Sequence, residues 1–456
     1  MTFANKITFI LVSFTTIFVT VAYGGVHQPI LALFYLLVAA MAIFFFVDAL
    51  QTGALRIDKS WLQLPLFAAS VYGFIQIIPF GSHSDIAALA SVPRTISADP
   101  FSTLVNALHF LALAVFFSVT LATLSSASRI KKTVAVIIIF GFLFSFFAIL
   151  QSFLSPTRIY GIYEARFATP FGSFVNRHNF AAFVEMCWCI PLGMLFSGSV
   201  KRDRRLLFIT AASLMGIALI LSGSRGGFVA ILAGLIVIVV STKRSESKRD
   251  VVLKAGLAAA LVLLVIGGAI FVGGDSSLTR FVETAQSKDI STSRFYIWGV
   301  TAKVIGANMP FGAGLGAFGV AFTPFDTNSG LERVEQAHND YLQVASDAGL
   351  VGLAIGGIFL CLFFSTGLRN VKTENQYRRG IVVGAFGGCC AVLVHSLFDF
   401  VLHTTAISLL FLITLGLVVA AGREFADDEG KEKPRRRRSA AKVTKIDGGK
   451  YLPGDA

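Results

Sequence analysis

The chain is built from apolar runs close to the roughly 20 residues that a helix needs to cross the hydrocarbon core of a bilayer. In lipid every backbone N–H and C=O must be satisfied within the segment or against protein, which favours the helix as the spanning form. About twelve runs are legible, at 7–23, 29–50, 61–80, 104–124, 133–154, 180–196, 206–221, 227–240, 251–272, 349–368, 381–397 and 405–421. The eighth is short. The first has no small-residue cleavage site after a short apolar region and is expected to be retained. Composition agrees, since 55% of the 456 residues are hydrophobic and only 14% are charged, against about 25% charged in a soluble domain. The expected fold class is an all-α polytopic integral membrane protein with about 12 transmembrane helices.

Charge gives the orientation. Numbering the loops alternately, one set with the C-terminal tail holds 29 of the 39 Lys and Arg residues. Loops rich in Lys and Arg stay in the cytoplasm, so both termini are expected there. The net charge of +13 is then mainly a topology signal. The run Lys433-Pro434-Arg435-Arg436-Arg437-Arg438 reads as a solvated tail against an anionic leaflet rather than a nucleic-acid site. The expected organisation is a transmembrane domain at 1–422, with a periplasmic loop at 273–348 carrying short amphipathic helices, and a disordered basic tail at 423–456. Cys187, Cys189, Cys361, Cys389 and Cys390 all lie in apolar runs and read as small buried hydrophobes.

Polar chemistry collects in the outward loops. The segment 335–352 ends the longest polar stretch and contains His338, Asn339, Asp340 and Tyr341. A histidine can take and return a proton near neutrality; the alternative is a side chain that caps or packs a loop helix. At 157–180 the chain places Arg166, Asn176, Arg177, His178 and Asn179 at a span entrance, where unpartnered polar groups are expensive. These residues suit either a ligand site or an interfacial loop with aromatic anchors. Arg225 follows Ser222-Gly223-Ser224 in a very short connection. It pairs with an anion, aided by small neighbours and backbone N–H groups, or it snorkels to the headgroups. Arg294 opens a predicted amphipathic helix with Ser293 as its cap and Phe295, Trp298, Ala302 and Ile305 as its apolar face. The Gly-rich run 310–316 lacks a following Lys-Ser/Thr and reads as a turn, not a phosphate loop. His395 and Asp399, four apart, would share a helix face, in a permissive spacing without an evident third metal ligand. They read as supporting residues.

Taken together these motifs resemble the bacterial O-antigen ligase and polymerase superfamily, multi-span enzymes acting on undecaprenyl-diphosphate-linked glycans. The resemblance covers about 158–415. It rests on Gly172, Asn176, Asn179 and Ala182, then Ser224-Arg225-Gly226, then Arg294 with Trp298 and the Pro310-x-Gly312-x-Gly314 run. Ala337-His338-Asn339-x-Tyr341-Leu342, Gly349-Leu350-x-Gly352 and His395-Ser396-x-x-Asp399 complete it. The resemblance implies a metal-independent transfer with no cofactor. Arg225 and Arg294 would hold the donor diphosphate, and His338 would be the catalytic base. Arg166, Asn176, Arg177, His178, Asn179, Asn339, Asp340 and Tyr341 are candidate substrate-binding residues, with His395 and Asp399 behind them. Asn176-Arg177-His178-Asn179 carries a cation and an imidazole beyond the family pattern, and no large C-terminal periplasmic domain follows.

The implied partners are an undecaprenyl-diphosphate-linked glycan, a glycan acceptor such as lipid A-core, and membrane lipids, with no nucleic acid. The implied place is the bacterial inner membrane, with the site facing the periplasm. Arginine suits the donor because its planar fork binds phosphate oxygens bidentately and stays charged. A neutral His338 would take the acceptor proton as attack opposite the diphosphate inverts the anomeric carbon. Asp340 is the candidate to orient the imidazole. Two other readings stand beside a ligase: a polymerase of the same superfamily, and a transporter or flippase for a lipid-linked sugar. The last predicts charges near the midplane within broken helices, and often an internal repeat.

Overall fold

The computed structural model describes residues 2–81, 94–165, 168–242, 256, 294–327 and 333–423. The predicted span at 251–272 (apart from residue 256), the cap Ser293, Arg166 and the tail beyond Arg423 lie outside them. The described chain is helical: α1 (Phe3–Val21), α2 (Gln28–Thr52), α3 (Leu64–Gln76), α4 (Pro100–Thr123), α5 (Ala127–Leu154), α6 (Arg177–Phe196), α7 (Arg205–Leu221), α8 (Arg225–Thr242), α9 (Arg294–Asn308), α10 (Phe318–Phe322), α11 (Asp340–Asn370), α12 (Gln376–His395) and α13 (Thr405–Ala420). A two-residue hairpin, β1 (Arg158–Ile159) with β2 (Tyr163–Glu164), is antiparallel. Thr2, Asp99, Ser126, Asn176, Asn339 and Asn375 cap α1, α4, α5, α6, α11 and α12 by accepting first-turn N–H bonds. These caps satisfy donors that have no partner within the helix.

Among the described residues nine helices are long and apolar enough to span a membrane. The predicted fold class holds; the count of about twelve is not confirmed among the described residues. The run at 61–80 yields a 3-10 turn at Trp61–Gln63 and the 13 α-helical residues of α3, and α13 has 16. Hydropathy finds apolar stretches, but helix length also depends on where the chain must turn.

The centre is α6, packed against α12, α8 and α7. Within their apolar windows 94% of α6 and 83% of α12 are buried by protein, against 17% of α2. Lipid is as apolar as leucine, so membrane helices associate through close packing of small residues. A Cβ on Gly193 would fall onto the backbone of Gly384, and one on Gly234 would meet Cys189 and Gly387 at 3.1 Å. The cysteines are free, and four of the five are buried as expected; Cys361 is exposed on α11.

The helix ends form two groups. At one, Arg129 reaches the Asn5 side chain at 2.5 Å and Gln376 reaches the Ser197 carbonyl at 3.0 Å. At the other, Tyr160 donates to Val21 O at 2.5 Å, Ser173 to Thr20 O at 2.5 Å and Thr405 to Gly25 O at 3.3 Å. The candidate site belongs to this second group.

Two sequence expectations meet their structures here. The 310–316 run is a turn, with Gly312, Gly314 and Gly316 at positive φ. It lies against α11 where that helix breaks at Gly349: Ala313 N bonds Ser346 O at 2.8 Å, Gly314 N bonds Asp347 O at 2.9 Å and Leu350 N bonds Pro310 O at 2.9 Å. The predicted apolar face of α9 is the one that protein covers less. Ile297, Val300, Thr301 and Val304 are buried, while Phe295 is 82% exposed and Ala302 is exposed. A helix lying on a membrane surface can be apolar on the side that no protein covers.

Candidate functional site

The start of α11 is pinned to the end of α12. Asn339 caps α11 with bonds from Tyr341 N at 3.0 Å and Leu342 N at 3.1 Å, and donates to Leu397 O at 2.9 Å. Asp340 N donates to Ser396 O at 3.0 Å and the Tyr341 hydroxyl to Leu393 O at 2.8 Å. On the other side Trp298 Nε1 donates to Ala337 O at 2.9 Å. His338 is thus fixed between anchored neighbours, and it adopts left-handed backbone with φ 50. Such a conformation is uncommon outside glycine and persists where the surroundings impose it.

That backbone turns the imidazole to Asp399. Nδ1 lies 3.2 Å from Asp399 Oδ1, and the ring packs edge-on to Phe400 with centroids 4.9 Å apart. The other carboxylate oxygen accepts from Arg294 Nη2 at 3.2 Å, while Arg294 Nη1 donates to the Phe398 carbonyl. Asp399 is 2% exposed; its partners His338 and Arg294 are 35% and 39% exposed. Burial pushes the Asp399 carboxyl up, but the His338 hydrogen bond and the Arg294 charge outweigh it and hold the group at about 2. A carboxylate that stays ionised favours a His338 tautomer protonated at Nδ1. Nε2 has no hydrogen-bond partner among the described residues.

Asp340 does not orient the imidazole. Its oxygens take His403 Nδ1 at 2.7 Å and Leu402 N at 3.1 Å, since its place in the first turn of α11 points it to the α12–α13 connection. The shared helix face of His395 and Asp399 is also corrected. α12 ends at His395, Asp399 lies beyond it, and the two take different partners.

His395 instead opens a second polar group. Its Nδ1 is 2.9 Å from Glu185 Oε1 and its Nε2 is 3.5 Å from Ser224 Oγ, which is 2.8 Å from His178 Nδ1. His178 is the second residue of α6, and Asn176 accepts its backbone N–H at 2.9 Å. Arg177 N bonds Thr169 O at 2.9 Å and its guanidinium borders Gly223. Asn179 is buried. Arg225 is exposed at the first position of α8, next to Ser224. A Cβ on Gly226 would press on His395 at 3.0 Å and on Phe398 at 3.2 Å, so the α7–α8 turn joins the two polar groups.

The structure thus gathers His338, Arg294, Asp399 and the α11 cap in one place, with His178, Ser224 and His395 adjoining. Sequence reading missed Glu185 and passed over Ser224. Glu185 was findable, as the single acid in the apolar run 180–196.

A helical bundle with a one-sided polar site among loop and helix ends defines a membrane-embedded protein. Residues 210–356 match the family model described as O-antigen ligase, which supports the O-antigen ligase superfamily and a membrane glycosyltransferase-like enzyme. The matched segment contains Arg225, Arg294 and His338, and stops short of Asp399. No curated protein matches the chain.

Proposed function

We propose that this chain transfers a glycan from an undecaprenyl-diphosphate carrier to an acceptor hydroxyl, with lipid A-core favoured, at the periplasmic face of the inner membrane. The observation that carries the reading is the His338 Nδ1 contact to Asp399, with Arg294 on the second carboxylate oxygen. With Nδ1 engaged, Nε2 is the nitrogen that takes the acceptor proton. The acceptor oxygen attacks the anomeric carbon as the bond to the diphosphate oxygen breaks, giving inversion. Negative charge grows on the leaving diphosphate, and Arg294 and Arg225 offset it. Asp399 keeps the imidazole oriented and stabilises the imidazolium that forms.

The test is transfer by purified protein given an undecaprenyl-diphosphate glycan and lipid A-core. Product on lipid A-core supports the ligase; longer lipid-linked chains instead make the protein a polymerase. A transporter has one observation in its favour, the Glu185–His395 pair buried inside the bundle, since intramembrane ionisable groups often mark a pathway. Carrier movement across vesicles without transfer would establish that alternative.

A further inference from the structure

The His338 site adjoins a polar chain that no role has yet explained. Glu185 and His395 are both 0% exposed and 2.9 Å apart. Glu185 Oε2 makes no hydrogen bond among the described residues, so the His395 ring is the group that answers this carboxylate. A net charge buried so far from water is strongly disfavoured. The pair is therefore neutral overall, as carboxylate with imidazolium or as carboxylic acid with imidazole. In both forms one proton lies between Glu185 and Nδ1, and His395 keeps another on Nε2.

That second N–H faces Ser224 Oγ at 3.5 Å, which also accepts from Gly227 N at 3.2 Å. The hydroxyl proton of Ser224 is left to donate to His178 Nδ1, at 2.8 Å. A ring that accepts at Nδ1 carries its proton on Nε2. His178 Nε2 has no partner among the described residues, and the ring lies within electrostatic reach of the Asp399 carboxylate and of Arg294, Arg177 and His395. A fixed N–H that no side chain accepts, within reach of more cations than carboxylates, suits an anion.

We propose that Glu185, His395 and Ser224 are positioning residues that hold the His178 ring with its proton on Nε2, and that this N–H donates to a diphosphate oxygen of the lipid-linked donor. The identity of the ligand rests on the transferase reading; the ring geometry does not.

The experiment uses the full chain in lipid nanodiscs, labelled with nitrogen-15 on histidine, with the His178 signals assigned by their loss in His178→Ala. Nitrogen shifts show which ring atom carries the proton. The expected result is protonation at Nε2 and movement of that signal on adding inorganic pyrophosphate. In Ser224→Ala both tautomers should be populated. Protonation at Nδ1, or a signal that pyrophosphate leaves unmoved, overturns the proposal. In the transfer assay, His178→Ala should lower kcat by about 100-fold. Ser224→Ala should lower it by roughly tenfold with little change in donor KM, because the bond strengthens as charge develops. Ser224→Thr, which keeps the hydroxyl, should restore the rate. A Ser224→Ala defect confined to KM counts against the proposal. Failure of the wild-type chain to transfer would remove the transferase reading and leave the ring measurement intact.

Discussion

His338 combines an unusual backbone with a reactive side chain, and one substitution separates the two. Asparagine tolerates left-handed backbone better than most residues, so His338→Asn keeps the turn and removes the imidazole. Transfer should fall by about 100-fold or more while the thermal midpoint stays near the wild-type value; unchanged turnover would remove His338 as the base. Asp399→Asn should give a loss of similar order, because an amide can hold the ring in the wrong tautomer. The same carboxylate has a stability signature. Its folded value of about 2 lies below an ordinary aspartate at about 3.9. Its stabilisation is therefore fully present above about pH 4 and is lost as pH falls through about 2. The midpoint difference between wild type and Asp399→Asn should narrow over that interval. A constant difference would show that the charge on Asp399 does not support the fold. None of this partnership was legible locally: Asp399 lies 61 residues beyond His338, whereas Asp340 lies two away and invites the wrong pairing.

At the scale of elements, the segment from α9 to α11 depends on one break. Gly349 has φ 57 inside α11, and a Cβ there would overlap the Pro310 carbonyl. Gly349→Ala should therefore destabilise by more than the roughly 1 kcal/mol of an ordinary glycine effect. It should also weaken transfer by loosening α11 beneath His338. Thermal unfolding in detergent checks the first effect, and a midpoint equal to wild type would show that the turn yields. Asn339→Ala removes a cap worth about 0.5–2 kcal/mol, together with its bond to Leu397. The turn at 310–316 was readable because glycines at that density have few other uses. The side of α9 that packs on protein, with Ile297, Val300 and Val304, was not, because Phe295 and Trp298 draw attention to another side of the helix.

For the whole molecule, the class was plain from the apolar runs and the number of spans was not. Burial by neighbours distinguishes α6 and α12 from α2, and so does mean hydropathy, at 1.5 and 1.4 against 2.9, because helices packed on protein carry small and polar residues where a lipid-facing helix is apolar all round. The charge asymmetry is a sequence signal for sidedness that a reporter can test directly. A fusion near Asp326 should score periplasmic and one after Arg423 cytoplasmic. A cytoplasmic score at Asp326 would place the His338 site on the wrong side for the proposed reaction.

The Glu185–His395 contact also has a consequence for biogenesis. The two residues are 210 positions apart, so a ribosome working at about 5–20 residues per second makes the second roughly 10–40 s after the first. During that interval α6 carries an acid into the membrane without its counterpart. The segment then depends on protonation, on water, or on the insertion machinery to remain in place. The bundle centre closes only when α12 arrives, so the innermost part of this protein is among the last to be assembled.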